Sequence, residues 1–599
     1  YMVRFLLENS LGAWWAARHP DSPLLEEWDY LRWIENEDPE GKTRRIPAAG
    51  TFPGWPDKAS QVTMLDPCGG SGHFVVAGFE MLHRMRMEEE GLSIAAAGDA
   101  VISDNIFMLE IDTRCTQLAT FNLVLAAWKT GGYRPLPTPN IACSGIAVEG
   151  QLADWLKLAG EDSRLQTALE QMYHLFHNAP VLGSLINPAT TALQGELYRA
   201  TYDNVAPLLE MALTRERSQN DHVAAVLGAP AQGIVKAARL LIQKYTLVAT
   251  NVPYLGMRNQ NGLLNEFLST NYEDAKINLA TAFGDRCISF CSNGGTIALV
   301  TPQNWLFQSS YENLRKRLLK NYSWNVVARL GIGAFQTITG EVVNVFLGLI
   351  TKHTPEADRL FLGLDADSGK NPLEKIKILR YAKSSIITQI SQLQNPGSCI
   401  TLERIESLPL LAQYVLAPQG IKTGDDDRWR KYFWEITVIP DIWRFYQSTV
   451  ASTNLFGGRK YVLDWRTKGN GMIRPRLGNL AIGRLGVAIK QIGDLPASLY
   501  TGELYDSNVA PLVPREHKNL PAIWTFCSSV DYNLAVRRID KGWKVSNVPL
   551  TQIPFDIEYW TQVAQEKYPS GLPAPYSNDL TQWLFSGHPT GSTNPLHVA

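Results

Sequence analysis

The sequence predicts a doubly wound, mainly parallel α/β sheet carrying a helical insertion, followed by a mixed α+β region. Three observations carry that expectation. Across residues 61–353, short apolar β-branched runs that end in Asp, Glu or Asn alternate with helical patterns. A glycine turn, Asp66-Pro-Cys-Gly-Gly-Ser-Gly-His-Phe74, joins the first of these runs to a helix. Beyond residue 354 the strands shorten while Gly, Pro, Trp and Arg rise together. A chain of 599 residues is long for one core. It divides into an N-terminal helical segment packing on the next domain (1–60), the α/β domain (61–353) and a C-terminal region (354–599).

Composition narrows the function classes. With 56 basic and 58 acidic residues the formal net charge is -2, so any surface for a polyanion must be a local patch. Cys68, Cys115, Cys143, Cys287, Cys291, Cys399 and Cys527 show no CxxC spacing, which predicts a reduced, cytoplasmic protein and no metal site. No run of 18 apolar residues predicts a membrane span. The chain opens on Tyr1 in the middle of an amphipathic pattern, and is expected to be a piece of a longer protein.

In chain order, Tyr1 to Arg18 is helical, with Met2, Phe5, Leu6, Trp14 and Trp15 on an inner face. Asp21 to Ser60 reads as a surface connection. Val62 to Leu65 is a strand, the glycine turn follows, and Val75 to Met87 is a helix. Gly70 and Gly72 let the backbone approach a ligand, and the helix start offers free N–H groups. Val75 stands where a dinucleotide fingerprint needs its last glycine. The Asp66-Pro67 opening would repel a pyrophosphate but suits an α-amino group, which favours S-adenosylmethionine.

A second strand, Asn105 to Leu109, ends in Glu110-Ile-Asp112, where an acid meets ribose hydroxyls in other doubly wound sheets. The stretch Glu88 to Asp104 between them is expected to be an elaborated loop. Arg114 to Trp128 is a helix, and Asn140 to Gly145 a third strand. Residues 151–243 read as an insertion with helices at Leu152–Leu158, Leu165–Phe176, Leu193–Thr214 and Gly233–Ile242. Lys244 to Thr250 is a buried strand ending in Asn251-Val-Pro-Tyr254. That tetrapeptide suits a planar base with an exocyclic amine. The Asn251 oxygen and the Pro253 carbonyl can accept from the NH2 group, and Tyr254 can stack. Lys276 to Cys291 and Tyr311 to Leu319 are helices. Gly294 to Pro302, Trp324 to Arg329 and Glu341 to Lys352 are strands, with a hairpin near residues 330–350 closing the sheet at its edge. Between Leu455 and Lys490, Arg459, Lys460, Arg466, Lys468, Arg474 and Arg476 are interleaved with glycines and aromatics, a pattern suited to phosphates and bases.

With the Asp66–Phe74 turn, Leu109-Glu-Ile-Asp112 and Asn251-Val-Pro-Tyr254 in this order, the chain resembles the adenine-specific DNA N6-methyltransferases, above all the large enzymes of type IIG restriction and of phage-defence islands such as BREX and DISARM. The resemblance implies a Rossmann-like methyltransferase sheet followed by a target-recognition domain. It implies an S-adenosyl-L-methionine site at Asp66, Pro67, Cys68, Gly70, Gly72, Phe74, Glu110 and Asp112. It implies catalysis by Asn251, Pro253 and Tyr254 on an adenine flipped out of double-stranded DNA, with Phe335 as a second ring against the base. Other defence-system subunits are the expected partners. Two positions depart from the family. Val252 replaces the first Pro of Asn-Pro-Pro-Tyr, and Ser144 stands where many relatives carry an Asp that contacts the cofactor adenine. Methylation of RNA or of protein glutamine, or a non-catalytic DNA-recognition subunit, are the alternatives.

Overall fold

The computed structural model describes all residues except 38–42, 149, 158, 160–162, 189–221, 336–342, 403–407, 437–440, 541, 576 and 585–599. Two compact units divide the chain, one of residues 1–305 and 313–393, the other of 306–312 and 394–599.

The first unit begins with helices Met2–Leu7 and Ala13–Arg18, joined through a π-helical turn at Glu8–Gly12. Phe5, Leu6, Leu11, Trp14 and Trp15 are fully buried in the same apolar cluster as the sheet, as the helical spacing predicts. Met2, expected on that inner face, is only partly buried. The connection that follows is more regular than a surface crossing. It contains an antiparallel pair, β1 (Trp33–Glu37) and β2 (Thr43–Pro47).

The main sheet has nine strands: β3 (Met64–Asp66), β4 (Ile106–Glu110), β5 (Asn140–Cys143), β6 (Tyr245–Asn251), β7 (Cys291–Pro302), β8 (Ser323–Gly331), β9 (Val345–Thr351), β10 (Leu360–Asp365) and β11 (Ser385–Thr388). Their order is β11-β10-β8-β9-β7-β6-β3-β4-β5. Strands β3 to β7 are mutually parallel, β8 and β10 run the same way, and only β9 and β11 are reversed. Because helices cover both faces, β3, β4 and β8 are buried along their whole length, which is why they read as continuous apolar runs.

The hairpin of β8 and β9 is not the sheet edge that the sequence suggests. Strand β9 lies between β7 and β8, and β10 and β11 extend the sheet past it. The change expected at residue 353 therefore falls inside this unit, which runs to Leu393. The stretch before β4 is likewise no loop. It holds the helix Ile94–Asp104, N-capped by the Ser93 hydroxyl accepting from Ala96 N–H. Buried Arg86, paired with Glu90 one turn along its own helix, ties the helix Ile94–Asp104 back through Asp104.

The insertion supplies helices Leu152–Lys157, Ser163–Phe176 and His222–Ile242. The expected helix Leu193–Thr214 lies outside the described residues. Arg286, fully buried on the helix Leu279–Phe290, donates to the carbonyls of Ser184, Ile186 and Leu241 and so fastens the middle of the insertion and its carboxyl end beside the sheet.

The second unit contains two four-stranded sheets. One pairs β12 (Val415–Leu416), β19 (Val509–Pro514), β16 (Gly486–Lys490) and β17 (Ala497–Tyr500) in that order. The other pairs β13 (Arg430–Tyr432), β15 (Tyr461–Asp464), β14 (Trp443–Gln447) and β18 (Leu504–Tyr505). Helices Leu520–Cys527, Val530–Ile539 and Ile557–Lys567 follow.

Candidate active site at the carboxyl ends of two adjacent strands

Strand order reverses between β3 and β6. From β3 the chain proceeds outward through β4 to β5, and then returns to lay β6 on the other flank. Parallel sheets bind ligands outside the carboxyl ends of strands at such a switch point. Asp66 ends β3 and Asn251 ends β6, so the two motifs singled out in the sequence lie at the carboxyl ends of the two strands that flank this point.

Asp66 is 1% exposed, and its carboxylate accepts the Cys68 N–H at 3.1 Å. Burial pushes its pKa up to about 7, with Glu110 adding to the effect, while the Thr250 hydroxyl and the Cys68 N–H pull it back. The glycines divide their work. At Gly70 the backbone is left-handed (φ 53°), and a Cβ would meet nothing within 4 Å, so the turn faces open space. Gly72, also left-handed, serves packing instead. A Cβ there would stand 3.1 Å from the Ala119 Cα on the helix Thr113–Gly131. Phe74, expected at the cofactor, belongs to the apolar core. Pro67 is buried and Cys68 half-buried beside the turn.

Glu110 binds the turn from the neighbouring strand. One carboxylate oxygen accepts Gly70 N–H at 2.8 Å, and the other accepts Ile111 and Asp112 N–H at 2.9 and 3.0 Å. A carboxylate has about four acceptor sites, so roughly one remains for a ligand. Asp112 has a structural task. It N-caps the helix Thr113–Gly131 by accepting Arg114 N–H and pairs with the Arg114 guanidinium, which holds its carboxyl down at about 2. Ser144 is buried, with its hydroxyl 3.1 Å from that of Ser184.

At the end of β6, Asn251 is the first exposed residue after a fully buried run. The Tyr254 hydroxyl donates to the Asn251 Oδ1 at 3.2 Å, so ring and carboxamide form one unit. Burial raises the Tyr254 hydroxyl above its ordinary range, keeping it a neutral donor. Val252 is buried, and its N–H donates to the Val300 carbonyl at 3.3 Å, a bond that Pro could not make. Phe335 packs half-buried against the apolar core, and the Tyr1 hydroxyl donates to the carbonyl of Ala334 beside it.

The basic candidates of the second unit sort into unlike roles. Arg459 is not a phosphate contact. It is 4% exposed, pairs with Glu503 at 3.2 Å, and donates to the Gly457 and Leu499 carbonyls. Arg466 is exposed but held by Asp464, two residues earlier. Lys460 lies over the Tyr432 and Tyr461 rings, 5.7 and 5.2 Å from their centroids. Lys468 and Arg474 are exposed, and Arg476 is half-buried with its guanidinium on Gln419. Sequence reasoning missed Thr250 beside Asp66 and Ser184 beside Ser144. Neither has a local signal, since each is brought in by a distant segment.

Residues 104–335, from just before β4 past the end of β8, match the Eco57I restriction-modification methylase family. The chain is 29% identical over 373 residues to the adenine-specific methyltransferase BrxX of Escherichia coli O9:H4 (strain HS), covering 57% of this chain and 29% of that protein. It is 24% identical over 510 residues to the adenine-specific methyltransferase PglX of Lacticaseibacillus casei (strain Zhang), covering 78% and 41%. The chain thus spans less than half the length of either relative. Among solved structures, a DrdV–DNA complex aligns at 11% identity and a TM-score of 0.49, covering 97% of this chain and 59% of that one.

Proposed function

We propose that the chain is the methylating part of an adenine-specific DNA N6-methyltransferase that uses S-adenosyl-L-methionine and marks DNA in a cytoplasmic restriction or phage-defence system. The observation that carries this reading is the pairing of Asp66 and Asn251 at the ends of the two strands that flank the switch point. The family matched by residues 104–335 and the printed activity of both relatives support it. The second unit is its target-recognition region.

The residues fit the cofactor. Gly70 opens onto free space, Glu110 keeps an acceptor site beside it, and Asp66 is a carboxyl able to ionise against an ammonium group. When bound, S-adenosylmethionine supplies an electrophilic sulfonium methyl group. The chain's own part is to make adenine a nucleophile. The adenine amine is weak because its lone pair is delocalised into the ring. Acceptors at the Asn251 Oδ1 and the Pro253 carbonyl would take its two N–H groups, draw the nitrogen towards tetrahedral geometry and localise that pair. Tyr254 stacks on the extruded base and offsets part of the few kcal/mol lost on leaving the helix. The Tyr254–Asn251 hydrogen bond sets the carboxamide in advance. Val252 in place of Pro keeps the strand extended and adds a backbone bond, so the departure from the family motif leaves the pocket intact.

The test is transfer of labelled methyl from S-adenosylmethionine to unmethylated double-stranded DNA, with nucleoside analysis. N6-methyladenine is expected. Label in RNA or in protein glutamine, or DNA binding with no transfer, would overturn the reading in favour of one of its alternatives.

A further inference from the structure

Between Asp464, which pairs with Arg466, and Asp494 the second unit carries Lys468, Arg474, Arg476, Arg484 and Lys490 besides Arg466, and no further acid. Between these cations three large aliphatic side chains face outward, Ile473 at 61%, Leu477 at 64% and Leu480 at 65% exposed. Exposed apolar groups clustered in this way mark contact surfaces.

The backbone beneath them is pinned. Lys422 and Arg474 exchange two N–H···O bonds of 3.0 and 2.9 Å, and Ile473 N–H reaches the Thr423 carbonyl. The Asn479 amide donates to the Gln419 carbonyl and the Tyr505 hydroxyl, and Gly483 N–H donates to the Gly502 carbonyl at 2.8 Å. Arg476 is held in the left-handed region (φ 57°), which is costly for a non-glycine residue. The fold therefore fixes a strained loop in order to display Ile473 and Leu477 beside arginines.

We infer that this loop is a wedge for duplex DNA, in which Arg474 and its basic neighbours meet phosphates while Ile473 and Leu477 enter between base pairs. The inference rests on the DNA reading above and deepens it. Charge complementarity names the occupant: a polyanion whose interior is an apolar stack takes cations and exposed aliphatic groups together. Side chains that part a base step kink and unwind the duplex, and the unstacking is offset by the added contact. A rigid display loses little further entropy on binding.

The experiment measures affinity for a mixed-sequence 40-bp duplex across a salt series. In parallel, the linking number of a plasmid relaxed by topoisomerase I is read with the protein bound. The doubly substituted Ile473→Ser/Leu477→Ser protein should keep the wild-type salt slope, because its charges remain. It should bind about tenfold more weakly or worse, from two lost aliphatic burials, and should lose the linking-number shift. Arg474→Gln should lower the slope by about 0.9 instead. Both changes lie on exposed side chains, and an unaltered melting temperature shows the fold intact. Wild-type protein that binds DNA without a linking-number shift would overturn the wedge, as would a double variant that matches wild type in both readouts. Binding of the wild type to anionic phosphatidylserine vesicles but not to the duplex would overturn it in favour of a lipid surface. Failure of the methylation reading is distinguished because it appears as absent methyl transfer, whatever these readouts give.

Discussion

At the scale of single residues, Asn251 and Tyr254 separate catalysis from capture. Asn251→Ala removes an acceptor that matters most when the amine changes geometry. It should nearly abolish single-turnover methylation while leaving cofactor and DNA affinity within a few fold. Near wild-type transfer by that variant would move the active site elsewhere. Tyr254→Ala loses stacking worth ~1–3 kcal/mol per base. Tyr254→Phe keeps the ring but frees the Asn251 carboxamide, so transfer should fall by less than about tenfold, the net worth of one hydrogen bond. Asp66 gives a different signature. Its folded pKa, about 7, lies above the ordinary carboxylate value, so between roughly pH 4 and 7 the folded state binds the extra proton. That proton's stabilisation is present at the acidic end of the window and is lost as pH rises through 7. A cationic ligand group placed against Asp66 would expel it. Calorimetry at pH 7 in buffers of differing ionisation enthalpy should show about half a proton released per S-adenosylmethionine bound, and none for Asp66→Asn. Equal release by both proteins would remove Asp66 from the ligand.

Among the elements, the Leu455–Lys490 segment shows why basic residues adjacent in sequence need not share a task. Arg459 is buried against Glu503, so Arg459→Ala strands a buried carboxylate and should cost about 3–5 kcal/mol of stability. Below its lowered melting temperature the variant should keep the wild-type salt slope for DNA, and replacing both partners by Met and Leu should recover stability. A slope reduced by one phosphate contact at unchanged stability would return Arg459 to the binding surface. The partner lies 44 residues away, so nothing local in the sequence distinguishes Arg459 from Lys468. Strands β3 to β9 were legible because β-branched runs with breakers at their ends have few other fates. The helix Ile94–Asp104 was not, since its small residues carry little periodic contrast despite the Ser93 cap. Strands β10 and β11 were hidden by the rise in Gly and Pro, which masked the continuing sheet. At the site, Asp66 and Asn251 were legible from their positions at strand ends. The packing of Gly72 on Ala119 and the capping by Asp112 were not, because both depend on where the next helix lies.

For the whole molecule, the units are not consecutive stretches of chain. Residues 306–312 belong to the second unit although β7 and the helix Glu312–Asn321 on either side are built into the first. Within the second unit, Ile400 N–H donates to the Leu306 carbonyl at 2.8 Å and the Cys399 thiol to that of Phe307 at 3.3 Å, and both Leu306 and Phe307 are buried. Ending the chain at Leu393 would keep every strand of the main sheet but leave this segment without the residues that pair with it. Exposing two such side chains costs about 1.5–3 kcal/mol each and creates an adhesive patch. The truncated protein should therefore aggregate and bind an apolar dye, measured by light scattering and dye fluorescence. Leu306→Ser with Phe307→Ser should restore its solubility, yet should destabilise the full chain, where those positions are core. A 1–393 protein that stays monomeric and dye-free without the substitutions would show that the segment is only a linker. The opposite signs expected in the truncated and full-length backgrounds identify 306–312 as a loop of the first half of the chain lent to the second unit.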